Sequence, residues 1–176
     1  MSIKNNLRLI KKNIPDNVTL VAVSKTKTSA KILEAYNSGH KIFGENKVQE
    51  LEKKYKELPN DIEWHMIGNL QKNKVKYIAP FISLIHSIDS IKLLQEVNKR
   101  AIQNNRTIKC LLQVHIAKEE TKFGFKIHEI EEIVLKAKEF KNIKIIGLMA
   151  MATFTDDTKQ LNKEFKVINE IYKKFK

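Results

Sequence analysis

A lysine that ends an apolar strand is the residue in this chain best suited to covalent chemistry. Val18-Thr19-Leu20-Val21-Ala22-Val23 reads as a strand buried on both faces, the pattern of a parallel sheet covered by helices. It runs directly into Ser24-Lys25-Thr26-Lys27, so an amine sits where the strand leaves the core. In α/β folds that carboxyl edge is where ligands and reactive groups collect. Burial disfavours the charged ammonium, lowers a lysine's pKa and frees the amine to join a carbonyl as a Schiff base. The plainer alternative is an ordinary solvated lysine just past a strand, in a chain rich in lysine.

Other strand ends repeat a second pattern. Gly44-Glu45-Asn46 follows Lys41-Ile42-Phe43, and Ile67-Gly68-Asn69-Leu70-Gln71 follows Glu63-Trp64-His65-Met66. His86-Ser87-Ile88-Asp89-Ser90 ends the next strand and Gly147-Leu148-Met149 the sixth. Three of the five glycines therefore fall at one edge, where a missing side chain lets a ligand or a loop approach the backbone. His40, His86 and His128 show no metal-ligand spacing with Cys110 or with paired carboxylates. No nucleophile elbow, P-loop or dinucleotide fingerprint is present.

The elements that must position these residues alternate. An opening helix carries Ile3, Leu7 and Ile10 on one face, and strands are predicted at 18–24, 40–43, 62–67, 83–87, 108–116 and 143–149. Helical stripes lie between them: Ile32, Ala35 and Tyr36 stopping at Gly39; Val48, Leu51, Tyr55 and Leu58 closed by Pro59; Leu94, Val97 and Ala101 behind a Ser90 cap. Ile127, Ile130, Val134 and Ala137 follow, then Leu161, Phe165, Ile168 and Tyr172. The early strands recur about every 22 residues, the length of a βα unit. Six such units can form an open doubly wound sheet or part of a (β/α) barrel, and periodicity does not choose between them.

With 176 residues and no linker or composition shift, the expectation is one α/β domain spanning 1–176. No stretch approaches the ~18 apolar residues of a membrane span, and residues 1–17 lack a signal-peptide apolar block. The lone Cys110 has no internal disulfide partner, so a reducing compartment, the cytoplasm, is expected. The formal charge of +13 invites a nucleic-acid partner. However, arginine, the residue of bidentate contacts, occurs only at Arg8, Arg100 and Arg106, while lysine is spread along the whole chain. Lys, Ile and Asn share AT-rich codons, and composition drift explains the charge better than a nucleic-acid partner does.

Four motifs in order, Ala22-Val23-Ser24-Lys25-Thr26-Lys27, Phe43-Gly44-Glu45-Asn46-Lys47-Val48-Gln49-Glu50, Trp64-His65-Met66-Ile67-Gly68-Asn69-Leu70-Gln71-Lys72-Asn73-Lys74 and Gly147-Leu148-Met149, resemble the pyridoxal phosphate homeostasis (YggS-like) family. Members look like the barrel domain of bacterial alanine racemase without its second domain. The resemblance therefore implies a TIM-type barrel, with six of eight βα units present within residues 1–176. It also implies pyridoxal 5′-phosphate as cofactor, joined to Lys25. It adds Asn46, His65, Lys122 and Met149 as cofactor contacts. Asn46 either bonds the cofactor ring or caps the following helix. His65 either faces the barrel mouth or is a satisfied core histidine. Lys122 corresponds to a racemase arginine that reaches the cofactor's phenolic oxygen, or is a solvated loop lysine.

Departures from the family pattern bear on function. The family's phosphate loop on strand seven and its strand-eight segment, including the arginine for the ring nitrogen, are not among these residues. The motif also has Asn69 where histidine is common, and His115 where asparagine is usual. The expected function is a carrier or buffer of the cofactor without conventional catalysis. The alternatives are a racemase-like enzyme and a chain that has lost the cofactor; a nucleic-acid-binding domain ranks last. Racemisation wants acid/base groups on both faces of the substrate. An edge at Val18–Val23, apolar and unprotected, predicts self-association.

Overall fold

The computed structural model describes residues 2–117 and 123–175. Its elements are α1 (Ile3–Asn13), β1 (Ala22–Val23), α2 (Ser29–Asn37), β2 (Ile42–Glu45), α3 (Val48–Glu57), β3 (Glu63–Met66), α4 (Val75–Ile78), β4 (Leu84–Ile88), α5 (Ile91–Gln103), β5 (Ile108–Val114), α6 (Ile130–Ala137), β6 (Ile143–Ala150) and α7 (Thr158–Phe175). Single 3-10 turns at Lys72–Lys74 and Ile127–Glu129 lead into α4 and α6.

All six strands pair in parallel, in the order β1-β2-β3-β4-β5-β6. A doubly wound sheet reverses its strand order part-way. Strict sequence order with right-handed crossovers instead places every helix on one face, and the other face turns inward. The strand order therefore decides for a barrel wall over an open sheet. The core lies between wall and helices, where Phe43, Trp64, Met66, Ile85, Cys110 and Leu112 meet Ile32, Leu51, Leu94, Val97 and Ile130. Phe43 and Trp64 touch at 5.9 Å between ring centroids, and Tyr55 stacks on Phe81 at 3.8 Å.

Local chemistry sets the helix ends. Thr28 caps α2 through Lys31 N, and Ser90 caps α5 by accepting from Leu93 N at 3.3 Å. Gly39 ends α2 at φ +83°, a left-handed position that glycine takes without strain. Helix α4, one turn long, has too few residues to show a period and was not predicted.

Strand β1 departs most from expectation. Only Ala22 and Val23 pair, Val18 is 49 % exposed and Val23 51 %. The register sets Ala22 opposite Phe43, so residues 18–20 lie level with the turn before β2 and find no ladder partner. The edge expected over Val18–Val23 is thus two residues long, whereas β6 presents eight. Gly44 stands inside β2, not after it, and Gly147 lies within β6 as expected. In α7 the buried residues are Glu164 and Ile171, while Phe165 and Tyr172 stay exposed. The cause is Glu164, whose carboxylate accepts from Thr153 N at 2.8 Å and Thr153 Oγ1 at 2.6 Å and turns that face toward the loop after β6.

Candidate functional site

Lys25 lies two residues past β1 and its side chain is exposed. The burial expected to free its amine is not seen among the described residues: Val23, which ends the two-residue strand before it, is itself 51 % exposed. What the structure supplies instead is a fixed backbone. Ser24, 4 % exposed, donates its N–H to Gly44 O at 3.0 Å and its Oγ to Glu45 Oε1 at 2.6 Å. Glu45 is fully buried, and its Oε1 also accepts from Lys54 Nζ at 2.7 Å. Lys54 Nζ donates further to Ser24 O at 2.8 Å and to Glu50 Oε1 at 2.6 Å. Glu50 Oε1 in turn accepts from Thr26 N at 2.7 Å. The Lys54 ammonium beside it holds the Glu50 carboxyl below its usual value. Thr26 sits at φ +64°. For a β-branched residue that conformation costs on the order of 1–2 kcal/mol, and the surrounding bonds must offset it.

None of Ser24, Glu45, Glu50 or Lys54 was predicted as a site residue. The Glu50–Lys54 spacing of four was visible, but on a helix it reads as an exposed pair. Only the fold shows that this Lys54 side chain is 5 % exposed and turned against the sheet.

Asn46 directly follows β2 and is half-buried. It does not cap α3: the cap residue is Lys47, and no side chain makes the cap bond. Its position is set by backbone contact with the next loop. A Cβ on Gly68 would lie 2.5 Å from Asn46 O, so only glycine lets the loops after β2 and β3 touch. Gly68 O is held from the next strand by Ser87 Oγ at 2.6 Å.

His65, in β3, is 7 % exposed, and its Nδ1 shares a hydrogen bond with Nε2 of His86 at 3.0 Å. Burial, then the nearby charges of His86 and Lys109, lower the His65 pKa to about 4. Burial also lowers that of His86. Both imidazoles are therefore neutral near pH 7, one nitrogen of the shared bond donating and the other accepting. His65 is at once inward-facing and satisfied.

Met149 lies opposite Gln113 near the end of β6, at the far edge of the sheet from Lys25. Lys122 falls outside the described residues. Lys25 and Asn46 thus lie just past the neighbouring strands β1 and β2, His65 lies in the next strand β3, and two further strands separate β3 from β6, which carries Met149. Among the described residues no three His, Cys, Asp or Glu side chains cluster as a metal site would require.

The model of the alanine racemase N-terminal domain matches residues 1–176. The chain belongs to that family. It is 40 % identical over 153 residues to the pyridoxal phosphate homeostasis protein of Aquifex aeolicus (strain VF5), covering 86 % of this chain and 67 % of the relative. The structure of PipY from Synechococcus elongatus PCC7942 with PLP bound superposes with a TM-score of 0.90 at 31 % identity, covering 98 % of this chain and 81 % of that one. Alanine racemase from Clostridium difficile 630 superposes with a TM-score of 0.76 at 12 % identity over 97 % of this chain and 47 % of its own, a likeness of fold alone. The barrel expected from the motifs is the fold observed.

Proposed function

We propose that this chain binds pyridoxal 5′-phosphate reversibly through Lys25 and serves the homeostasis of that cofactor as a carrier or buffer. The observation that carries the reading is an exposed amine on a backbone anchored immediately before and after it, at the carboxyl edge of a parallel barrel wall. The relatives support it: PipY holds PLP, and the Aquifex protein is named for pyridoxal phosphate homeostasis.

The donor set fits such a ligand. When bound, the cofactor supplies an aldehyde that an amine can hold reversibly. Lys25 offers the amine. Asn46, whose side-chain amide makes no hydrogen bond to a described residue, offers a donor and an acceptor one strand away. His65 adds a neutral imidazole held in place by His86. A carrier requires that the amine stay reachable, and the exposure of Lys25 meets that need where a buried lysine would not. Met149 and Lys122 remain part of the proposed contact set on resemblance.

Among the described residues no helix is long and apolar enough to cross a membrane. A cytoplasmic place and a small-molecule partner complete the reading, with self-association through a sheet edge as the sequence predicts. The test is borohydride reduction in the presence of pyridoxal phosphate, followed by peptide mass mapping. One label at Lys25, lost in Lys25→Ala, is expected. Label spread evenly over surface lysines, or undiminished in Lys25→Ala, would overturn the proposal.

A further inference from the structure

Lys25 could have been placed by burial, but its side chain is exposed. Only the backbone can aim it. Two peptide planes flank its Cα, and both are tied to the same ammonium. The plane before it is held through Ser24 O, which accepts directly from Lys54 Nζ at 2.8 Å. The plane after it is held through Thr26 N, which donates to Glu50 Oε1 at 2.7 Å, and that same oxygen accepts from Lys54 Nζ at 2.6 Å. Glu45 Oε1 fastens the ammonium to β2 at 2.7 Å. The Lys54 side chain is only 5 % exposed and that of Glu45 fully buried.

A buried ion pair is a poor way to gain stability, since well-packed apolar residues of similar volume do as well or better. Here the charges join three separate pieces of chain, the turn after β1, the end of β2 and the second turn of α3. They converge on the one turn that bears the exposed amine. They also hold Thr26 at φ +64°, a conformation the turn would abandon if released.

We infer that Lys54, with Glu45 and Glu50, is a positioning residue for Lys25: the buried triad fixes the direction in which Lys25 leaves the barrel wall. This rests on the functional reading above, in which Lys25 is the amine that captures the aldehyde. Freed from the triad, the turn would sample several conformations, and Lys25 would react no faster or more selectively than its exposed neighbour Lys27.

The experiment compares the unsubstituted chain with Glu50→Ala, Glu50→Gln and Lys54→Met, in two measurements. The first is the ratio of Lys25 to Lys27 label after pyridoxal phosphate and borohydride. The second, made without pyridoxal phosphate, is deuterium uptake in a peptide spanning residues 24–27. Glu50→Ala removes the acceptor for Thr26 N from a partly exposed side chain, so the fold should survive it. We expect the label ratio to fall about tenfold, the equivalent of losing one charge-assisted bond, and uptake over 24–27 to rise. Glu50→Gln keeps an oxygen for Thr26 N and should recover part of both. Lys54→Met should match or exceed Glu50→Ala; if it fails to fold, Glu50→Ala decides. Preference for Lys25 in the unsubstituted chain, retained within twofold by Glu50→Ala with unchanged uptake, overturns the inference and leaves the functional reading intact. No preference for Lys25 in the unsubstituted chain overturns both.

Discussion

Two rows of residues cross the same sheet back to back, and they differ in almost every respect. The row facing the helices runs Glu45, Met66, Ile85, Cys110, Ile145, and its first four members are 0 % exposed. The row facing inward runs Val23, Gly44, His65, Leu84, Lys109, Lys144, and begins with a valine 51 % exposed and ends with two exposed lysines. The helix side has to fill space and exclude water, and apart from Glu45 its residues are apolar. The inward side keeps a glycine, an imidazole and cations, types that a packed core rejects unless another role retains them. Burial acts on both faces with opposite sign. It pushes the Cys110 thiol up to about 12 and His65 down to about 4, because in each it penalises the charged form.

The sharpest way to break the contrast is Trp64→Ala. Trp64 is fully buried on the helix side against Phe43, and its loss should cost ~3–5 kcal/mol in urea unfolding. A cost under ~1 kcal/mol would mean that this face is not packed as described.

The inward face should show itself through pH. The folded pKa of His65 lies at about 4, below its ordinary 6.5, so the neutral form favours folding. Its contribution is complete above the unfolded pKa and is lost as pH falls from there toward the folded one. Between pH 7 and 5 the loss should be about 2 kcal/mol from His65, with His86 adding in the same direction. Glu50, whose folded pKa is depressed, withdraws its own contribution as pH falls through the usual carboxylate range, so the change between pH 7 and 5 comes mainly from histidines, His40 adding in the same direction. Urea titrations at both pH values check this, and His65→Gln should flatten the difference. A slope unchanged in that variant would remove His65 as its source.

The smallest effect belongs to the end of the inward row. Lys109 and Lys144 are direct cross-strand partners of like charge. Lys144→Glu should raise stability by about 0.5 kcal/mol at low salt, and by less in high salt. No gain at low ionic strength would mean that the two ammonium groups already lie too far apart in water to interact.

Much of this was legible in one dimension because it depends on short-range pattern. The βα alternation, the Ser90 cap, the stop at Gly39 and the buried stripes of α2, α3 and α5 follow from side-chain periodicity and local hydrogen bonding. The motifs around Lys25, Asn46 and His65 marked the edge and, by resemblance, the family. In α7 the expected stripe holds at Leu161 and Ile168 but not at Phe165 and Tyr172, where the helix turns Glu164 inward, satisfied by Thr153, a partner outside the helix. Residues 18–24 were read as one buried strand because apolar composition reports a preference for burial and carries no information on where the neighbouring strand begins.

What the sequence by itself determined, then, is which segments alternate and which residue types gather at their carboxyl ends, since both are written in nearest-neighbour spacing. The tertiary structure alone decided that the sheet runs in strict order as a barrel wall and that β1 keeps two paired residues. It also decided that Lys25 stays in water while Lys54, on the next helix but one, goes under the sheet. Burial is a property of what packs on top of a residue, and for an exposed-looking Glu50–Lys54 pair the covering groups, Ser24 just past β1 and Glu45 in β2, come from elsewhere in the fold.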